Sequence, residues 1–251
     1  CTLSSQFGPG TQYTGNARCY NPEDGRVQYG DTVLTVTALS KIAAVFYFSR
    51  AFIFTPLALV VGASLSYSFH ASDLMSVFNA DVAANLIILL AVASDFLLLA
   101  DAYPRALQAC CTGVPSHWLL FGTLVVVNAA LGTLFAAVVP SLASSGKVVF
   151  LNVWTVVLFL AIVYIGWTQW PRLTHRYNFV VSLSAFIVQA ILSSIDGALG
   201  YECAQNTLFE SFHTWNHIIG AVALVFVGRG LWRNASDPKM SQGSALTASF
   251  L

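Results

Sequence analysis

The chain has 251 residues, of which 57% are hydrophobic and only 9% charged, with a mean hydropathy of +0.71. Soluble domains carry about 25% charged residues, so a soluble globular protein is excluded, and a net charge of zero says nothing about partners. No basic stripe is present; the cations sit in short connecting segments, which argues against nucleic-acid binding.

A hydrocarbon core about 30 Å thick needs about 20 mostly apolar residues in a helix. After a polar N-terminal segment, residues 1–30, seven stretches meet that need: 32–48, 51–70, 81–100, 118–139, 148–167, 177–194 and 209–231. Turn-like breaks separate them: "YPR", "GVPSH", "PSLASSGK", "WPRLTHR" and "DGALGYECAQN". The predicted fold class is all-α, an integral membrane seven-helix bundle over residues 31–232. A polar, small-residue tail, 233–251, is predicted to be disordered and cytoplasmic.

Orientation follows from the cations, because short cytoplasmic loops are enriched in Lys and Arg. Arg50, Arg105, Arg172, Arg176, Arg229, Arg233 and Lys239 all fall on one side. The other side holds Lys147 and otherwise acids such as Asp73, Glu202 and Glu210. The N-terminus is thus expected outside or in a lumen, in the plasma membrane or secretory pathway. Cys1, Cys19 and Cys203 then lie outside, where disulfides persist, with one left over. Cys110 and Cys111 lie at the inner face, suited to S-palmitoylation. The odd cysteine and the missing initiator Met lead us to expect a fragment or a processed form. "NAS" at Asn234 matches a glycosylation acceptor, but on the cytosolic side, so it is discounted.

The chemistry gathers at the outer ends of spans two, three and seven. His213 and His217 are spaced i, i+4 and share one helical face, and "TLFE" before them reads as a capping box. Span two ends with Ser66 and His70 at the same spacing, and span three opens with Asp81. Three neutral imidazoles with an open fourth position make the ligand set of a catalytic zinc site. Zinc lowers the pKa of its bound water to about 7. Asp81 is placed to act on that water as general base or acid, and Ser66 to donate to a developing oxyanion or orient the water. The pair reads His-Thr-Trp-Asn-His, without the Glu of H-E-x-x-H, which argues against a soluble metalloprotease. Taken singly, each residue has a plainer reading: interfacial anchor, packing serine or helix-start carboxylate. Their coincidence at one depth favours function, since intramembrane ionisable groups are costly.

With S-x-x-x-H, an Asp opening the next helix and H-x-x-x-H opening the seventh, the chain resembles the CREST superfamily. That group includes alkaline ceramidases, adiponectin/progestin receptors, GPI-remodelling proteins and myomaker. Within it, "SFHASD", "LLLADAYPR" and "FHTWNH" are most similar to the branch of myomaker and the post-GPI-attachment phospholipase A2. Ser72 stands where that branch has Cys, and residues 1–20 are weakly similar to the remnant of an EGF-like module. The resemblance implies Zn2+ on His70, His213 and His217, with Asp81 partnering the zinc-bound water and Ser66 as the motif serine. It implies a lipid hydrolase cleaving an acyl ester or amide in the outer or lumenal leaflet. GPI-anchor or glycerophospholipid acyl chains come first as substrate, and ceramide second.

Two other classes stay open: a seven-helix receptor with a structural metal, and a non-enzymatic membrane-remodelling or fusion protein. A retinal pigment is disfavoured, because span seven has no Lys for a Schiff base. Lys41, read as mid-span, is expected either to pair with Asp95 of span three or to snorkel. Asp196 is expected to cap the turn after span six with Gly197, or else to support a ligand imidazole.

Overall fold

A computed structural model describes residues 36–49, 54–72, 75–100, 116–142, 144–199 and 212–237. For Lys147, Asp196 and His213 it describes the backbone only. Among the described residues there are seven helices and no strand. They are α1 (Ala38–Phe48), α2 (Phe54–Ser72), α3 (Met75–Ala100), α4 (Ser116–Ser141), α5 (Ser144–Gln169), α6 (Arg176–Leu199) and α7 (Phe212–Ala235). All five cysteines and the "TLFE" stretch lie outside the described residues.

Helices α3 to α7 are each long and apolar enough to cross a bilayer. The chain is therefore an all-helical, multi-pass membrane protein. The 19 residues of α2 reach about 28 Å at 1.5 Å per residue. Its second half is less apolar, interrupted by Ser64, Ser66, Tyr67, Ser68 and His70.

Burial separates the helices into an inner and an outer set. The apolar window of α3 is 78% buried, against 17%, 6% and 11% for those of α4, α5 and α6. Helix α3 packs against α2, α4, α5 and α7, so it is the hub, while α4 to α6 present valines, leucines and isoleucines outward. Such a surface is costly in water and neutral in lipid, where helices associate by close packing instead. One cluster joins Phe48 of α1, Leu59 of α2, Ala91, Val92 and Phe96 of α3, and Val227 and Leu231 of α7. A second joins Leu86 and Leu90 of α3 to Phe135 and Val139 of α4 and Leu158 of α5. Gly228 permits the close approach of α1 to α7: a Cβ there would stand 2.8 Å from the ring of fully buried Phe48.

Helix α1 departs from the expected α conformation. Ala38–Ala44 is 3-10 helix, and only Val45–Phe48 is α. Runs of 3-10 helix longer than about four residues are uncommon, and residues three apart eclipse one another. The buried residues of this run are Ala38, Lys41 and Ala44, three apart, so one stacked line faces the bundle with Lys41 at its centre.

Helix ends also run further than the sequence pattern suggested. Helix α3 begins at Met75, so Asp81 lies well inside it and not in its first turn. Helices α4 and α5 absorb most of "PSLASSGK". Asp196 and Gly197 lie within α6, which runs to Leu199, so they do not form the expected turn.

Helix α7 continues through Asn234, which is fully buried. Its Oδ1 accepts from the Thr174 backbone N–H (2.8 Å) and from Thr174 Oγ1 (3.2 Å), while its Nδ2 donates to the Gly230 carbonyl (2.8 Å). This locks the α5–α6 connection onto α7. Burial, independently of topology, makes Asn234 unfit as a glycan acceptor. Asn234→Leu, similar in volume, leaves the Thr174 N–H without its acceptor and should cost about 1–3 kcal/mol. A lowered midpoint in thermal unfolding checks this.

Candidate functional site

Helix α2 closes where α3 opens, and α7 opens beside them. The end of α2 packs on the start of α3 through Phe69 against Phe78, ring centroids 5.0 Å apart. His70, two residues from the end of α2, is thereby held inward at 2% exposure. His217, five residues into α7, meets it at 9% exposure. Their Nε2 atoms are 3.1 Å apart, with the rings edge to face at 89°.

That separation suits an N–H···N hydrogen bond between neutral imidazoles of complementary tautomer. It is also close to the spacing of two ligands on one tetrahedral zinc, about 3.3–3.4 Å for bonds of about 2.0–2.1 Å. His213 sits one turn before His217 on the backbone of α7, with its side chain outside the described residues. Among the described residues, no group of three or more His, Cys, Asp or Glu side chains is arranged to hold a metal. The described part of the set is thus two converging nitrogens.

Ser66 lies one turn from His70 on the buried face of α2. Its neighbours follow the ordinary habit of serines in helices: Ser64 Oγ donates to the Val60 carbonyl and Ser68 Oγ to the Ser64 carbonyl, both at 2.8 Å. Ser66 does not. Its Oγ is buried without a hydrogen-bond partner among the described residues. The buried Oδ1 of Asn216, adjacent to His217, is likewise unpartnered among them. Buried polar atoms are costly unless satisfied, and the Ser66 hydroxyl lies one turn from His70 on the same helix. Two imidazoles and a hydroxyl would suit a polar group or metal ion reached from α2 and α7.

Asp81 of α3 is 8% exposed. Asn85, one turn on, donates from Nδ2 to the Asp81 carbonyl at 3.0 Å and to its Oδ1 at 3.3 Å. On the other side Lys41 of α1, 8% exposed, donates to Asn85 Oδ1 at 2.6 Å and acts electrostatically on Asp81. Ser40 Oγ donates to the His217 carbonyl at 3.2 Å, tying α1 to α7 beside the histidine.

The expected Lys41–Asp95 pair is therefore not formed. Asn85 and Asp95 are ten residues apart on α3, about 15 Å, and Lys41 stands level with the former. Asp95, fully buried, instead accepts the Thr55 backbone N–H (3.2 Å) in the first turn of α2, serving as that helix's cap from a neighbouring helix.

Of the residues expected to carry function, the structure brings His70 and His217 into contact, with Ser66 one turn from His70, and joins Asp81 to Asn85 and Lys41, while Ser40 bonds to the His217 carbonyl. Asn85 had a signal in the sequence: "DVAAN" sets a second polar residue i+4 from Asp81, on the same face of the helix. Lys41 stood out as a mid-span charge, but its partner, like Ser40 itself, had no signal, because the facing of α1 depends on its 3-10 winding. Compared with known proteins, the chain matches no family model, no curated protein and no solved structure.

Proposed function

We propose that this chain is a zinc-dependent membrane lipid hydrolase of the CREST type, cleaving an acyl ester or amide in the outer or lumenal leaflet. The observation that carries the reading is the meeting of His70 and His217 at 3.1 Å, one turn from a buried Ser66 hydroxyl that has no partner among the described residues. His70, His217 and His213 would hold the metal. When bound, zinc supplies Lewis acidity, polarising an acyl carbonyl and making water acidic enough to ionise near neutral pH. Asp81 takes the proton from the attacking water as its oxygen bonds to the acyl carbon, and returns it to the leaving oxygen or nitrogen as that bond breaks. Ser66 Oγ donates to the carbonyl oxygen as negative charge grows there. The surrounding helices keep bulk water from the polar groups, and substrate arrives from the lipid side.

Arg172, Arg176 and Arg233 lie at the end of the bundle away from the histidines, which supports an outward-facing site under the positive-inside rule. GPI-anchor and glycerophospholipid acyl chains are the first substrates to try, and ceramide the next. Engagement of Asp81 by Asn85 and Lys41 favours one competing reading, a receptor or fusion protein in which metal and polar network are structural.

Metal analysis of the purified chain in detergent, alongside lipid release from vesicles, tests the proposal. About one zinc per chain is expected, with acyl release that stops on chelation and returns with zinc. A freshly prepared protein without zinc would refute the hydrolase, and zinc without turnover on any of these lipids would favour the structural reading.

A further inference from the structure

We infer that Lys41 and Asn85 are positioning residues that fix the Asp81 carboxylate, with α1 acting as its support. The inference rests on the hydrolase reading for what the carboxylate does, but the fixing itself rests on geometry.

Three observations carry it. First, a chain of polar contacts runs from α1 into α3: Lys41 Nζ to Asn85 Oδ1 at 2.6 Å, then Asn85 Nδ2 to Asp81 Oδ1 at 3.3 Å. An ammonium only donates and an ionised carboxylate only accepts. The amide between them therefore has one productive orientation, oxygen towards Lys41 and nitrogen towards Asp81. A second bond, Nδ2 to the Asp81 carbonyl at 3.0 Å, holds that amide on the helix.

Second, Lys41 has been brought inward at a cost. Long cationic side chains in membrane helices normally reach for the interface, yet this one is 8% exposed. It projects from the centre of the stacked 3-10 line Ala38, Lys41, Ala44. A cation at such a place is expensive unless it meets an opposite charge, and Asp81 is the group that acts on it electrostatically. Third, the neighbouring Ser40 bonds to the His217 carbonyl at 3.2 Å, so the same turn of α1 touches both the carboxylate's support and the histidine helix.

An ion pair that merely joined α1 to α3 would leave turnover by the folded protein unchanged. Positioning makes a different prediction, which the cycle of Lys41→Met, Asp81→Asn and the double variant reads out, with Asn85→Leu as a second probe. Lys41→Met and Asn85→Leu should keep about one zinc per chain and lower kcat roughly 10-fold or more, with KM little changed. Adding Asp81→Asn to either should lower kcat no further than Asp81→Asn alone. Additive losses in kcat, or an unchanged kcat in Lys41→Met, would overturn the positioning role.

Thermal unfolding of the same proteins separates this claim from the hydrolase reading. Coupled residues give a double variant whose Tm falls no further than the worse single variant, whereas independent residues give the sum of both shifts. If the wild type carries no zinc, the hydrolase fails. A non-additive Tm then upholds the fixing of Asp81, and an additive one overturns it. Should Lys41→Met not fold, the Asn85→Leu and Asp81→Asn cycle decides the same question.

Discussion

Asp81→Asn should leave about one zinc per chain in place and lower kcat by roughly 10²–10⁴-fold, the usual worth of a general acid–base group. The amide is nearly isosteric, so the packing of α3 survives, while the charge that Asn85 and Lys41 engage is lost. What disappears is the capacity to take a proton and give it back. Since Asp81 belongs to α3, while the histidines belong to α2 and α7, loss of turnover should separate cleanly from loss of metal. Single-turnover acyl release together with metal analysis checks this. A variant as active as the wild type would show that the proton goes elsewhere.

His217→Ala should abolish both metal binding and turnover. Removing one of two nitrogens that converge at 3.1 Å leaves the other imidazole facing an empty place. A ligand that binds only the folded state stabilises it by about 2.7 kcal/mol at 100 times its dissociation constant. The wild type should therefore lose thermal stability on chelation, whereas His217→Ala should begin from a lower Tm and ignore the chelator. His70→Ala should behave alike, because the two rings meet as equals from different helices. If either variant kept a full complement of zinc, the histidine pair would not be the centre of the site. The Ser40 bond to residue 217 is to the backbone, so that tie to α1 is retained in His217→Ala and does not confuse the comparison.

The amino-acid sequence by itself determined the solvent and the helical, multi-pass class. Stretches of about 20 apolar residues, separated by prolines, glycines and charges, admit few arrangements other than membrane helices, because an unsatisfied backbone cannot sit in lipid. It also marked Ser66, His70 and His217, since i, i+4 spacing puts polar groups on one face whatever that face meets. Helix ends were less legible: α3 begins six residues before Asp81, and α6 continues through Asp196 and Gly197.

Only the tertiary structure decided partners. Whether Lys41 meets Asp95 or Asn85 depends on how α1 is wound and how far it slides along α3. A seven-residue 3-10 run, with a different rise and period, carries no signature that separates it from an apolar α-helix. The same holds for Asp95 capping α2 from α3, and for Asn234 locking the α5–α6 connection. In each case a polar group buried in an apolar bundle is satisfied by residues dozens of positions away. The requirement that it be satisfied is written in the residue type, while the partner is chosen by packing.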